Sequence, residues 1–199
     1  MSGILSDNIG RSSGLVKAAA GGGAGGWAFV EAVVASGDTS IVLGEGNLNA
    51  DYDYAVRVRV GKMSADTAGQ LSVLQFGTST GPTYQTSGYV SNGFSVFTTY
   101  TTSVNNPATN GIPLLQMNSI GGATDEEWSC FIEILNPAAS ILHHVTSRGS
   151  GHIENPGDNA QSWVFGHRTT REVITGLKCI TSSNNYATGT FQLYKRKIT

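Results

Sequence analysis

Residues 52–60 read YDYAVRVRV, and this stretch decides the fold class. Aromatic and branched side chains recur at every second position, and charged ones fall between them. Because successive side chains of a β-strand point to opposite faces, this pattern predicts a strand with one apolar and one charged face. The apolar face would hold Tyr52, Tyr54, Val56, Val58 and Val60, and the charged face Asp53, Arg57 and Arg59.

Short runs with strand character lie on both sides of this segment, and turn signals such as Asn92-Gly93 and Asn136-Pro137 separate them. No run predicts a helix longer than a turn or two. About ten to twelve short strands at this spacing predict an all-β fold of the β-sandwich or jelly-roll kind. Beyond 52–60, the predicted strands are 27–34, 40–43, 71–76, 84–90, 94–101, 112–117, 128–135, 141–146, 162–167, 173–181 and 190–196.

The composition fits this fold and excludes several functions. Only 13% of the 199 residues are charged, so long surface helices are disfavoured. With a net charge of −2, the chain as a whole has no positive electrostatic field that would attract nucleic acid. The sequence has neither the pattern of a signal peptide nor an apolar stretch for membrane insertion, so we expect synthesis in the cytoplasm of some cell.

The length predicts one domain with an extension. Residues 1–26 form the predicted N-terminal arm, which ends in the flexible tether GGGAGG, and residues 27–199 form the predicted β domain. The arm could dock on another protein as an extended peptide. The side chains expected to anchor it are Ile4, Leu5, Ile9, Leu15 and Val16.

No catalytic, cofactor or metal motif is present. The adjacent His143 and His144 would point to opposite faces of a strand, so they cannot share one ion there. Residues 47–53 alternate Asn and Asp like the start of a calcium loop, but lack the glycine and glutamate of an EF-hand. An irregular calcium site remains open. We expect Cys130 and Cys179 to be buried thiols, and whether they pair is left open.

Two groups of side chains could serve sugar chemistry. Paired carboxylates hydrolyse glycosides, and candidates occur at 125–127, Glu154 and Asp158, although a solvated acidic turn explains them better. Exposed tryptophans stack on sugars, although most aromatics of a β-sandwich belong to the core. The candidate glycan contacts are Trp27, Trp128 and Trp163.

Three stretches carry a resemblance to a known group of proteins. The opening MSGILSDNIGRSSGLVKAAA resembles the start of many small proteins of marine and cyanobacterial tailed phages. FIEILNP at 131–137 resembles a strand and turn of those proteins, and VITGLKCITSSNNYATGTFQLY at 173–194 resembles their closing hairpin. Lys195 follows where those proteins usually have glycine. The resemblance implies a virion structural protein of the tail-fibre or head-decoration kind, with a jelly-roll-like domain and no transferable catalytic residues.

The closing hairpin also predicts local structure. Phe191 and Leu193 share one face, Gln192 and Tyr194 share the other, and Gly189 permits a bulge or a tight approach.

Three hypotheses follow for function. The first is a non-enzymatic virion protein, a homotrimer anchored by its arm and exposing its β domain for host attachment, tail-fibre-like or else a capsid decoration. The second is a free carbohydrate-binding module, and the third is a glycan-degrading enzyme.

Overall fold

The computed structural model describes residues 26–65, 71–98, 101–106, 110–115, 126–137, 139–153 and 158–198. For 101–106, 153 and 158 it describes only the path of the strand. These ranges contain strands and no helix, so none of them offers a helix that could cross a membrane. The strands are β1 (Ala28–Val34), β2 (Ser40–Leu43), β3 (Tyr52–Met63), β4 (Ser72–Thr78), β5 (Thr83–Tyr84), β6 (Tyr89–Phe97), β7 (Thr101–Asn106), β8 (Ile112–Pro113), β9 (Trp128–Ile134), β10 (His144–Ile153), β11 (Asp158–Arg168), β12 (Gly176–Thr181) and β13 (Tyr186–Lys197).

The strands form two antiparallel sheets. The larger has eight strands in the order β1-β13-β3-β9-β10-β11-β6-β7, and the smaller has the order β2-β12-β4-β5, with β8 also paired to β4. The first strand of the larger sheet therefore pairs with the last strand of the chain. The all-β class predicted from the period-two runs is confirmed.

Buried apolar side chains of both sheets belong to one core cluster. Val56 and Phe191 of the larger sheet and Phe76 and Leu177 of the smaller sheet are fully buried in it. The predicted burial of Cys130 and Cys179 is confirmed, and both thiols are free. We define the outer face as the face of the eight-stranded sheet that points away from this core.

Strand β3 begins at Tyr52, as the period-two pattern predicts, but the predicted burial of Val60 is wrong. Tyr54, Val56 and Val58 are buried, whereas Val60 is 47% exposed. The register with β9 shifts between Val58 and Gly61, and Val60 has a φ of 50°. This bulge turns Val60 outward.

The bulge makes room for a large side chain. A Cβ on Gly61 would lie 2.5 Å from Cε2 of Trp128, so the indole packs directly on the glycine backbone. The alternation of side chains along β3 cannot reveal this contact, because Trp128 belongs to a different strand, β9.

The closing hairpin has the predicted faces. Phe191 and Leu193 are buried, while the hydroxyl of Tyr194 donates to Oε1 of Gln192 at 3.1 Å. The predicted bulge at Gly189 is confirmed, because the register with β3 shifts around it and its φ is 138°.

Two predictions in the middle of the chain are wrong. The strands expected at 84–90 and 94–101 are instead the two-residue β5 and the continuous β6, and Asn92-Gly93 lies inside β6 rather than in a turn. Pairing with β11 on one side and β7 on the other holds this Asn-Gly pair extended. Long-range pairing has overridden a local turn signal.

Candidate binding surface on the eight-stranded sheet

Large apolar side chains are exposed where β6 and β11 pair. The inward positions of these two strands include the buried Ser91, Ser95 and Ser162, although other inward positions of these strands are apolar and buried. The outward positions include Phe94, which is 37% exposed, and Phe165, which is 53% exposed. A strand normally hides its large apolar side chains and exposes its small polar ones, so exposed apolar area here points to an interaction surface.

One row of directly opposed residues crosses five strands of the outer face. Phe94 of β6 opposes Trp163 of β11, and Trp163 opposes Arg148 of β10. Arg148 opposes Phe131 of β9, and Phe131 opposes Arg57 of β3. The row thus contains three aromatic rings and two guanidinium groups. It spans about 19 Å, since neighbouring strands lie about 4.8 Å apart.

The aromatic end of the row is a stacked pair. The ring centroids of Phe94 and Trp163 lie 4.9 Å apart, with their planes inclined by 15°. Trp163, one of the glycan candidates, is half-buried on the outer face. Stacking holds the two rings together as one apolar platform, in which each ring covers one face of the other and leaves its edge and opposite face for further contacts.

Amides flank this platform on the same face. Asn92 and Gln161 lie two residues before Phe94 and Trp163 respectively, and both are exposed. Each amide offers two donors and one acceptor oxygen, so the platform has polar groups at its edge that can bind hydroxyls.

The other end of the row is cationic. Arg57 is exposed, and the side chain of Arg148 is 63% exposed and reaches Glu133 at 3.7 Å. Across β3, β9, β10 and β13, the outer face carries more positive than negative side chains in a chain whose net charge is −2. The positive ones are Arg57, Arg59, Arg148 and Arg196, and the negative ones are Asp53 and Glu133.

Trp27, another glycan candidate, lies on the outer face but is held by its neighbours. Its ring packs edge-on against Phe131 with centroids 6.0 Å apart, and the guanidinium of Arg196 lies 4.6 Å from its centre. Arg196 also donates to Asp53 at 2.9 Å. These contacts make Trp27 a clamp at the start of β1, directly after the glycine tether.

Trp128, the third glycan candidate, is in the core. It is only 3% exposed and packs edge-on against Phe191. Its ring face is closed to a sugar, because burial beside Gly61 and Phe191 takes up that surface. Trp128 also borders a surface cavity of about 660 Å³, which Glu127, Ser150, His152 and Gln161 line as well.

The remaining candidates are the predicted anchors of the arm and the carboxylates considered for glycoside hydrolysis. The predicted anchors Ile4, Leu5, Ile9, Leu15 and Val16 lie outside the described residues, as do Asp125 and Glu154, and the side chain of Asp158 is not described. Glu127 is the one carboxylate that lines the cavity among the described residues. The described residues therefore place no second carboxylate opposite it for glycoside hydrolysis.

Two of the side chains in the possible calcium loop, Asn49 and Asp53, already have protein partners for their oxygens. Oδ1 of Asn49 accepts from the backbone N–H of Asp51 at 2.8 Å, and Asp53 binds Arg196 and the backbone N–H of Asn136. Within the described residues, no three His, Cys, Asp or Glu side chains gather as a metal site.

The two cysteines are buried thiols. Burial raises the pKa of Cys130 far above its ordinary value and that of Cys179 to about 12. Since the thiolate is the reactive form, this burial disfavours a nucleophilic role for either thiol.

Two histidines form a pair that the sequence did not reveal. His144 and His167 oppose each other on β10 and β11, with ring centroids 5.6 Å apart on the outer face. Their neighbours there are Phe165 and Val90. The pair is a polar patch beside the exposed apolar one.

Sequence reasoning found Trp163 but missed Phe94, Arg148, Phe131 and Arg57 as its partners. Comparison with protein-family models, with curated proteins and with solved structures finds no match to this chain.

Proposed function

We propose that this chain is a structural protein of a bacteriophage virion, tail-fibre or spike-like, whose N-terminal arm anchors it and whose β domain attaches the particle to a host surface. The observation that carries the attachment role is the aromatic surface that Phe94, Trp163 and Phe165 form on the outer face, where β6 and β11 pair. The virion setting rests on the resemblance of the opening, middle and closing segments to phage proteins.

The finer features of the proposal are a jelly-roll sandwich and a homotrimer. Two antiparallel sheets around one core are compatible with a sandwich. Three copies would present the outer face three times, and a repeated host receptor would then bind with avidity far above the affinity of one copy.

A binding role is favoured over an enzymatic one by the chemistry of the described residues. The cysteines are buried with raised pKa values, and the cavity beside Trp128 has one described carboxylate. The outer face instead offers rings, amides and guanidinium groups, which bind ligands without transforming them.

Particle incorporation tests the anchoring half of this proposal. Phage is produced with the full chain and with a variant lacking residues 1–20, and purified particles are probed with an antibody against the β domain. We expect the full chain on particles and the shortened chain only in the soluble fraction. Equal incorporation of the two chains would contradict the anchor.

The attachment half needs a second readout. Purified, labelled full-length chain should adsorb to cells of the bacterial host, and Trp163→Ala should reduce adsorption. Val173→Ala is the matched control, because Val173 is 43% exposed but lies outside the strands of the outer face. Equal adsorption of wild type and Trp163→Ala would contradict attachment through this face.

A further inference from the structure

We propose that the ligand of the outer face is an anionic polysaccharide, bound across the strands along the row Phe94–Trp163–Arg148–Phe131–Arg57. This inference rests on the proposed attachment function and names the chemical class of its ligand. The register of four strand pairs fixes the row, so its five members oppose each other directly.

The order of residues along the row matches an acidic sugar chain. An aromatic platform stacks on the apolar C–H face of a sugar ring, and a guanidinium binds a carboxylate or sulfate through paired N–H donors. Here the stacked Phe94 and Trp163 are followed by Arg148, then by Phe131 and Arg57. Ring-binding and anion-binding groups thus alternate along the direction in which a chain would lie.

Polar side chains extend the match at both ends of the row. Asn92 and Gln161 flank the stacked rings, and Gln192 of β13 opposes Arg57 as the next member across the sheet. Amides donate to and accept from hydroxyls at once, which is the hydrogen bonding that a sugar chain requires.

The charge balance separates this ligand from a neutral glycan and from nucleic acid. The strands around the row carry an excess of arginine although the chain as a whole has a net charge of −2. A neutral glycan would leave those guanidinium groups unused. Nucleic acids are bound through many phosphate contacts from lysine and arginine, whereas the row supplies only the two guanidinium groups of Arg57 and Arg148.

Arg148 is available to such a ligand. Its side chain is 63% exposed, and Glu133 approaches it only to 3.7 Å, as expected of a weak surface ion pair. A ligand carboxylate can therefore replace Glu133 at low cost.

Binding of the full-length chain to immobilised polysaccharides tests the inference. The probes are polygalacturonate, alginate and dextran sulfate as anionic polymers, dextran as the neutral polymer, and a single-stranded oligonucleotide. We expect retention on at least one anionic polysaccharide, weakening with added salt, and none on dextran. The double variant Arg57→Gln/Arg148→Gln should lose about tenfold in affinity.

Arg171→Gln is the matched control, because Arg171 is exposed but lies outside the strands of the row. It should bind as wild type does, and Trp163→Ala should bind more weakly. Unchanged far-ultraviolet circular dichroism and melting temperature of each variant would exclude unfolding as the cause.

Several outcomes would overturn the inference and leave attachment standing. They are equal retention on dextran, tighter binding to the oligonucleotide, and no retention on any anionic polymer while the chain still adsorbs to cells through Trp163. Failure of the wild-type chain to adsorb to host cells would instead contradict the proposed function itself.

Discussion

The guanidinium carbon of Arg196 lies 4.6 Å from the centre of the Trp27 ring. This cation–π contact joins the last long strand of the chain to the first described residues, and Asp53 holds the same guanidinium at 2.9 Å. The start of β1 is therefore fixed to the sheet by side chains as well as by the backbone hydrogen bonds to β13.

Replacing Trp27 tests the strength of this clamp. We expect Trp27→Ala to lower the free energy of unfolding by about 1–2 kcal/mol, since it removes a cation–π contact and an aromatic pair at a half-buried site. Urea unfolding followed by circular dichroism measures the change. Phe29→Ala on β1 provides a comparison, because Phe29 is 52% exposed and should cost less.

Gly61 offers a second test, of the bulge in β3. We expect Gly61→Ala to destabilise the fold by about 1–3 kcal/mol, because the new Cβ would lie 2.5 Å from Cε2 of the buried Trp128. Gly81→Ala is the control, since nothing lies within 4 Å of a Cβ there. A cost for Gly61→Ala as small as that of the control would mean that Trp128 does not pack on the glycine backbone.

The buried His143 should make stability depend on pH. Burial lowers the pKa of His143 below its ordinary 6.5, although hydrogen bonds to backbone carbonyl groups partly oppose the shift. Its Nε2 lies 2.6 Å from the carbonyl oxygen of Glu172, to which it donates. A histidine held neutral contributes stability above its unfolded pKa, and that stability is lost as pH falls from about 6.5 toward the folded pKa.

Urea midpoints between about pH 5 and pH 8 measure this loss. His143→Gln should flatten the acidic limb, because a glutamine amide can donate to the same carbonyl without titrating. An unchanged acidic limb in His143→Gln would assign the slope to another group.

Thiol labelling tests the cysteines. The raised pKa values of Cys130 and Cys179 leave almost no thiolate near neutral pH, so an aromatic disulfide reagent should react slowly with the native chain. Full unfolding should release both thiols to the reagent, because neither is in a disulfide. Fast labelling of the native chain would show that the core opens locally at these strands.

The sequence predicts the positions of many single strands and their buried faces, but it does not predict which strands pair with each other. The period of residues 52–60 places Tyr54, Val56 and Val58 in the core. It fails at Val60, where a bulge shifts the register and Trp128 packs on the backbone of Gly61. Each strand's face is a local property, so alternation within the strand reveals it.

The candidate site depends on register, which is not local. Arg57 and Phe94 belong to β3 and β6, and three other strands separate them in the sheet. A shift of one residue in any of those pairings would turn the later members of the row to the other face. Sequence reasoning could therefore select Trp163 as an exposed aromatic, but it could not show that Arg148 lies beside it.

The clamp at Trp27 also has a mechanical meaning. Strand β1 is at the edge of the described sheet and pairs only with β13, so a pull on the tether alone would peel it away one hydrogen bond at a time. Trp27 precedes β1 and contacts Phe131 on β9. It also contacts Arg196, which binds Asp53 on β3, so a force on Trp27 acts on these strands as well. A tensile force on the arm would thus be shared by interior strands before the edge begins to unzip.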